Sequence, residues 1–143
     1  MKIRWLRRDA KGQALVEFAL ILPVLLLMVL GIVEFGRAWN LAQMMSDVAR
    51  EGARRAVIAD VTITEQSVQD FMAVKLETAG VPVSAMSPPA GSITFSDTNG
   101  VATWHPATGT PVTATIRIPY SWMFFGRAFP TITLTSSFTM RME

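Results

Sequence analysis

The sequence lacks cysteine altogether and contains a single histidine, His105. The absence of cysteine excludes a disulfide framework, cysteine-ligated zinc and a thiol nucleophile. One histidine leaves little for a histidine metal cluster or a Ser-His-Asp arrangement. No glycine-rich phosphate loop or paired carboxylate motif is present either. We therefore expect no enzymatic activity, no metal or other cofactor and no small-molecule substrate, and we place His105 in a surface loop.

Charged residues are scarce as well, at 17% of the 143 residues. Five of the 13 basic side chains fall within residues 1–12 beside one acidic residue, so this leader carries a charge of +4 and the rest of the chain −2. Nucleic-acid binding requires basic residues clustered on the folded part of a protein. Because that part is mildly acidic here, we expect no nucleic-acid partner.

Half of the chain is hydrophobic, and a long apolar run follows the leader. Phe18 to Val33 contains no charged residue, and as a helix it rises about 24 Å, short of the roughly 30 Å hydrocarbon core of a bilayer. Starting the helix at Ala14 completes the span but includes Glu17. A charge at the bilayer centre costs about 2.5–3.5 kcal/mol. Glu17 therefore either serves a purpose in the membrane or lies at its interface.

The flanks of this run predict its orientation. The leader is basic, whereas the twenty residues after Val33 contain only Arg37 and Arg50 as basic residues. Positive charge is retained on the cytoplasmic side. We expect a single-pass protein of the inner membrane with its N-terminus in the cytoplasm and its C-terminal domain in the periplasm.

Three interpretations of this segment compete. A secretory signal could be cut near Gly36–Ala38, giving a secreted soluble domain, but Glu34 and Arg37 crowd that cut and the helical pattern continues through it. An uncleaved anchor explains the hydropathy but leaves Gly12 and Glu17 without a role. Processing at the leader accounts for both residues.

The residues at the leader boundary resemble the processing site of type IV pilin-like proteins. Residues 12–18 read GQALVEF, in which a glycine ends the basic leader and a glutamate followed by an aromatic residue, Glu17-Phe18, stands fifth after it. Residues 12–40 and the later DVAREGARRAV at 47–57 resemble the TadE-like proteins of tight-adherence (Flp) pilus systems. Residues 60–130 carry no motif of that family.

The resemblance implies cleavage of the Gly12–Gln13 bond by a prepilin peptidase and a role as a minor pilin or pseudopilin in pilus assembly. It also implies that Glu17 of one subunit meets the new amine of Gln13 on a neighbour. The partners would be the peptidase, other pilin-like subunits and the assembly machinery, and the subunit could enter a surface pilus. The alternative is an uncleaved single-pass protein whose outer domain binds a ligand or partner.

Proline and small residues shape the predicted helix. Pro23 removes a backbone donor and predicts a kink near residues 19–23, with either a packing role or a role in extraction from the bilayer. Beyond the membrane, apolar and small residues recur every three or four positions on one side, with charged residues on the other. The stripe comprises Leu41, Met45, Val48, Gly52, Ala56 and Ala59.

This stripe, with Met44, is expected to be core, although a partner groove would have the same pattern. Arg50, Arg54 and Arg55 are expected on a solvated face, the alternative being an anionic lipid or partner site. Glu51 can pair with Arg54 or Arg55.

A second helix of about 15 residues is predicted after a break at residues 60–63. Thr62 and Glu65 form a candidate capping box, and Gly80 with Pro82 ends the helix. Residues 87–91 are expected to form a loop.

The rest of the chain predicts an antiparallel sheet that packs on the first helix. Residues 93–95 and 101–104 flank an Asn99-Gly100 hairpin turn, and residues 112–118 and 132–142 alternate between apolar and polar side chains. Residues 122–125 form an aromatic cluster suited to a subunit contact, a core or a membrane surface.

The predicted fold class is α+β and pilin-like, with a long N-terminal helix and a small sheet. Its divisions are a leader at 1–12, a helix at 13–59 with its membrane part at about 14–33, and an α+β region at 60–143.

Overall fold

The computed structural model describes residues 10–58, 63–81, 91–97, 100–101, 104, 109–126 and 128–141. It contains two helices and three strands in those ranges: α1 Ala10–Ile58, α2 Glu65–Thr78, β1 Ser92–Ser96, β2 Pro111–Tyr120 and β3 Ile132–Arg141. The predicted α+β class, with a long N-terminal helix and a small antiparallel sheet, is confirmed. The chain divides into an N-terminal unit, Met1–Gly36, and a C-terminal unit, Arg37–Glu143.

The N-terminal unit is described as the first part of α1. Its large apolar side chains are exposed from Leu15 onward, among them Phe18, Leu25 and Ile32. The helix continues through Pro23 without interruption, so the proline does not end it, and the kink predicted near residues 19–23 stays a prediction. An apolar helix exposed on this scale requires a surrounding that is itself apolar.

In the C-terminal unit, α1 buries one face. The predicted stripe is confirmed at Met45, Val48 and Ala56, which are buried, and at Gly52, which lies against Met72 of α2. The buried face is wider than predicted because Ala49 and Ala53 are fully buried too. Small residues at these positions let other elements approach the helix closely.

Helix α2 begins at a different threonine from the one predicted. Thr64 is the N-cap, and its hydroxyl accepts a hydrogen bond from the backbone N–H of Ser67 at 3.2 Å. The Thr62 capping box is therefore wrong by two residues. At the other end Gly80 has a φ of 89°, and the backbone N–H groups of Gly80 and Val81 donate to Glu77 and Leu76. This confirms Gly80 as the end of the helix, since glycine is favoured where the backbone has a left-handed conformation.

The sheet has the order β1-β2-β3, with both pairs antiparallel. Ser92 pairs with Arg117 across β1 and β2, and Pro111 pairs with Arg141 across β2 and β3. The predicted alternation of β2 is confirmed because Val112, Ala114, Ile116 and Ile118 are buried. In β3 the alternate residues are only partly buried.

The turn after β1 is present, but the return strand predicted at 101–104 is wrong at both described residues. Gly100 and Val101 bond back to Asp97, whereas Val101 and Trp104 belong to no strand and β1 pairs with β2 instead. The ring of Trp104 packs on Phe95 with centroids 5.2 Å apart. Ala59, Thr62, Pro82, residues 87–90, Asn99, His105 and Met142 lie outside the described residues.

One hydrophobic core joins the elements of the C-terminal unit. It contains side chains from α1, α2, β1 and β2, with Leu134, Phe138 and Met140 of β3 packed at its margin. The sheet therefore packs on the C-terminal part of α1 as predicted. Met45, Val48 and Ala56 of the stripe belong to this core, which confirms the prediction that the stripe is core. Met44, beside the fully buried Met45, is partly exposed.

Candidate functional site

The candidate processing and assembly residues lie in the first turns of α1. Gly12, Gln13, Glu17 and Phe18 are all exposed. Residues 13 and 17 are one helical turn apart and therefore share a face. The side-chain amide of Gln13 donates a hydrogen bond to Oε1 of Glu17 over 3.2 Å. The structure thus brings together the residue predicted to carry the new amine and the carboxylate predicted to receive it.

The surroundings of Glu17 are strongly apolar. Leu15, Val16, Phe18, Leu20 and Ile21 are all exposed large hydrophobic residues. A carboxylate in such a stretch gains from any positive partner, because an apolar medium weakens Coulomb attraction far less than water does. Removing the chain before Gln13 creates an α-amino group whose ordinary pKa is about 7.7–8.0, and which would be cationic at neutral pH.

Gly12 lies in the first turn of α1, where a glycine weakens the helix locally. Glycine is less favourable than alanine in a helix interior by about 1 kcal/mol. It also lacks a Cβ, so another protein can approach the backbone closely at this residue. Both properties favour binding of the adjacent peptide bond in the active site of a protease.

The charged face of α1 in the C-terminal unit is exposed, as predicted, at Arg50, Arg54 and Arg55. Two of these arginines also contact aromatic rings: the guanidinium of Arg50 lies 4.9 Å from the ring centroid of Phe138, and that of Arg55 lies 3.3 Å from that of Phe71. Arg55 also bonds Glu51 at 3.3 Å, which confirms one of the two pairs predicted for Glu51. These arginines connect α1 to β3 and α2.

A third arginine contacts the last residue of β2. The guanidinium carbon of Arg37 lies 5.9 Å from the ring centroid of Tyr120. Residues 122–125, the aromatic cluster identified in the sequence, follow Tyr120. Trp122 contacts Tyr120 and Phe129 through its ring, and its Nε1 donates to the backbone oxygen of Pro130 over 2.9 Å.

Sequence reasoning missed the burial of Glu34. Its side chain is 1% exposed, the only charged side chain buried among the described residues. Its position next to the apolar run was visible in the sequence, but a helix pattern alone does not reveal burial of an acidic residue. No group of three or more potential metal ligands occurs in the described part of the chain.

One described helix, beginning near the N-terminus, is long and apolar enough to cross a membrane, and its most apolar stretch has no buried residue. Residues 12–54 match the family of TadE-like proteins. The match starts at the predicted cleavage glycine and ends within the C-terminal part of α1, so it confirms the resemblance over that helix. No curated protein and no solved structure gives a significant match to the chain.

This TadE-like segment supports a pilus-related membrane protein. The match suggests a role in tight-adherence pilus systems. Residues of α2 and the sheet lie outside the match.

Proposed function

We propose that this chain is a TadE-like minor pilin or pseudopilin that acts in the assembly of a tight-adherence pilus. The observation that carries the proposal is the start of α1, where Gly12, Gln13 and Glu17 precede an exposed apolar helix inside the matched segment. The protein would act by binding and assembly.

In this proposal a prepilin peptidase cuts between Gly12 and Gln13 on the cytoplasmic side of the inner membrane. The basic leader stays in the cytoplasm, and the C-terminal unit faces the periplasm. The hydrogen bond between Gln13 and Glu17 supports the pairing step. It shows that the side chains of residues 13 and 17 share a face of the helix, which is compatible with a contact between an amine at position 13 and the Glu17 carboxylate.

The first experiment is to determine the N-terminal residue of the membrane-bound protein by mass spectrometry in cells that contain the peptidase. Cleavage predicts a mature chain starting at Gln13. A chain starting at Met1 would support the uncleaved anchor, and one starting at Trp39 would support a secreted domain. Either of these results contradicts the proposal.

A pair of glycine variants sharpens the test. Gly12→Leu should leave the precursor in the membrane because a large side chain obstructs the peptidase at the cut. Gly36→Leu is the matched control in the same helix, where an added Cβ meets nothing within 4 Å, and it should be processed normally. Normal processing of Gly12→Leu would contradict the assignment of the cleavage site to the Gly12–Gln13 bond.

Glu17 is tested separately from cleavage. Glu17→Ala and Glu17→Gln should both insert and be processed, yet both should assemble poorly because neither carries the negative charge that pairs with the amine. Glutamine retains a hydrogen-bonding group, so it distinguishes charge pairing from hydrogen bonding. Pilus formation at the normal level with Glu17→Gln would contradict the charge-pairing role.

A further inference from the structure

The two edges of the sheet are protected to different degrees. β1 has five residues, and the backbone oxygen of Ile93 accepts a hydrogen bond from Nε2 of Gln69 on α2 over 3.1 Å. β3 has ten residues and is the last strand in the order β1-β2-β3, so no described strand pairs with the side of β3 that faces away from β2. This side is here called the outer edge. Such an edge presents backbone N–H and C=O groups to any chain that can add a strand.

The hydrogen bond at Ile93 identifies the residues whose backbone groups point to the outer edge. In an antiparallel ladder the residues of a strand direct their N–H and C=O groups alternately to one side and to the other. The Ile93 oxygen points to α2 and not to β2, so its partner Ile116 directs its groups to β3, where it pairs with Ser136. The even-numbered residues of β3 therefore bond to β2, and the odd-numbered residues direct their groups to the outer edge.

A threonine pair supports the same assignment. Oγ1 of Thr113 and Oγ1 of Thr139 lie 2.8 Å apart across β2 and β3. Opposite side chains approach most closely in pairs that exchange no backbone hydrogen bonds. The backbone groups of Thr139 therefore point away from β2. Groups of this kind recur along the outer edge about every 7 Å, at Thr133, Thr135, Ser137 and Thr139.

β3 lacks the features that usually prevent strand addition. Natural edge strands are short, bulged, interrupted by proline or marked by charged residues. β3 pairs with β2 over ten consecutive residues without a bulge, and residues 132–140 contain no proline and no charged residue. Its odd-numbered side chains are exposed, whereas Leu134, Phe138 and Met140 are partly buried at the margin of the core. An added strand would extend both the polar row and the apolar row.

The charge beside the outer edge indicates which kind of strand it fits. The exposed Arg50 places its guanidinium 4.9 Å from the ring centroid of Phe138. Ala114, which pairs with Phe138 on β2, is fully buried, so the exposed guanidinium lies on the side of the outer edge. Among the described residues Arg50 has no ion-pair partner. The three strands contain Arg117 and Arg141 and no acidic residue.

We propose that the outer edge of β3 binds an extended, acidic segment of another protein chain as a fourth strand. The segment bonds to the backbone groups of the odd-numbered residues and places a carboxylate beside Arg50 and apolar side chains beside Leu134. A second copy of β3 is a poorer partner, because it has no acidic residue and adds Arg141. The inference goes beyond the proposed function, since β3 lies outside the matched residues 12–54, and it does not depend on cleavage of the leader.

Amide hydrogen exchange of the full-length chain in detergent micelles, resolved by NMR, tests the outer edge before any peptide is added. The amides of Thr135 and Ser137 should exchange about tenfold faster than those of Leu134 and Ser136, which bond to β2. Equally slow exchange at all four would show that the outer edge is already occupied. If that protection were lost on dilution, the occupant would be a second copy. Both results overturn the proposal.

The probe for strand addition is an acetylated nine-residue peptide in which valine alternates with threonine and the valine opposite Phe138 in an antiparallel pair is replaced by glutamate. Saturating peptide should slow exchange at Thr135 and Ser137 about tenfold. The control peptide is methylated on the backbone nitrogens of its threonines, which would face the odd-numbered residues of β3, and it should have no effect. Unchanged exchange with the unmethylated peptide would overturn the proposal.

A second control peptide, with glutamine in place of the glutamate, measures selectivity for charge. The glutamate peptide should bind about two- to fivefold more tightly, as expected for an exposed ion pair. Arg50→Gln should remove this difference, whereas Arg54→Gln, a change at an exposed neighbour on the same helix, should preserve it. Equal binding of the two peptides to the unmodified chain would refute an acidic partner.

The adjacent serines of β3 separate strand addition from folding. Ser137→Pro removes an N–H that points to the outer edge, where proline is tolerated, so the C-terminal unit should stay folded but lose protection by the peptide. Ser136→Pro removes an N–H that bonds to β2 and should lower the urea midpoint much further. Peptide protection that persists in Ser137→Pro, or equal destabilisation by the two prolines, would overturn the assignment of the outer edge.

Discussion

The two parts of α1 differ in the exposure of their apolar side chains. In residues 10–36, leucine, valine and phenylalanine side chains point outward and are exposed around the helix. In residues 37–58 one face of the helix carries a set of apolar side chains that are buried, among which Met45, Ala49 and Ala53 are fully buried. The backbone is one continuous helix, so the difference lies entirely in the side chains.

The contrast shows that each part is matched to a different solvent. An exposed apolar helix is stable where the surroundings are lipid, because the bilayer covers its side chains and the helix satisfies its own backbone hydrogen bonds. An amphipathic helix is stable in water only if another element covers its apolar face. The change between residues 33 and 37 therefore marks the predicted exit from the membrane.

The largest expected effect is on the free energy of unfolding when a buried side chain of the C-terminal unit is truncated, compared with the same truncation in the apolar run. Ile116 is fully buried, so Ile116→Ala should lower the free energy of unfolding of the C-terminal unit by about 2–5 kcal/mol through lost burial and a residual cavity. Leu25 is 51% exposed in the other part, and Leu25→Ala should leave that free energy unchanged because no cavity forms.

Urea unfolding of the full chain in detergent micelles, followed by tryptophan fluorescence, measures both variants. Trp104 packs on the core residue Phe95 and should report the transition. Equal losses for the two variants would show that the apolar run is part of the folded core and would end the distinction between the two parts.

The second expected effect is larger in the apolar run than in the C-terminal part of α1. Leu25→Lys places a charge in the middle of the apolar run, at a cost of about 2.5–3.5 kcal/mol on insertion scales. The matched change Ala42→Lys is at an exposed position of the C-terminal part and should be tolerated. Alkaline extraction of membranes should release a larger fraction of Leu25→Lys than of Ala42→Lys, and equal retention would contradict the lipid environment of residue 25.

Much of this contrast was predictable because helix and strand patterns are local. The stripe on α1, the alternation in β2 and the ending at Gly80 all follow from spacing within one element. The side-chain bond between Gln13 and Glu17 also follows from their separation by four residues. Cleavage after Gly12 and pairing with a neighbouring subunit depend on other molecules and remain predictions.

The sequence was a poor guide where partners are distant or where similar residues compete. Thr62 and Thr64 both precede Glu65, and local pattern did not decide which one caps α2. The pairing of β1 with β2 spans a long connection, so a hairpin return at 101–104 was the simpler expectation. The stacking of Arg50 on Phe138 depends on how β3 packs, which a charge pattern along a helix does not contain.

A smaller effect is expected where α1 meets α2. A Cβ at Gly52 would overlap the side chain of Met72, which is itself fully buried, so Gly52→Val should destabilise the C-terminal unit by about 1–3 kcal/mol through overpacking. Gly36→Val makes the same chemical change where nothing lies within 4 Å of the new Cβ. It should leave the urea midpoint unchanged, and a similar shift in both variants would attribute the loss to helix propensity alone.

The smallest effect concerns the charged face of the C-terminal part. Arg50 stacks on Phe138 at 4.9 Å, and an exposed cation–π contact contributes about 0.5–1 kcal/mol. Arg50→Gln should therefore lower the urea midpoint slightly, and Phe138→Leu should remove the difference between arginine and glutamine at position 50. Arg54 is an exposed neighbour on the same helix, so Arg54→Gln controls for the loss of charge. If Arg50→Gln and Arg54→Gln have equal stability, the arginine face is only solvated, and the core alone holds the sheet against α1.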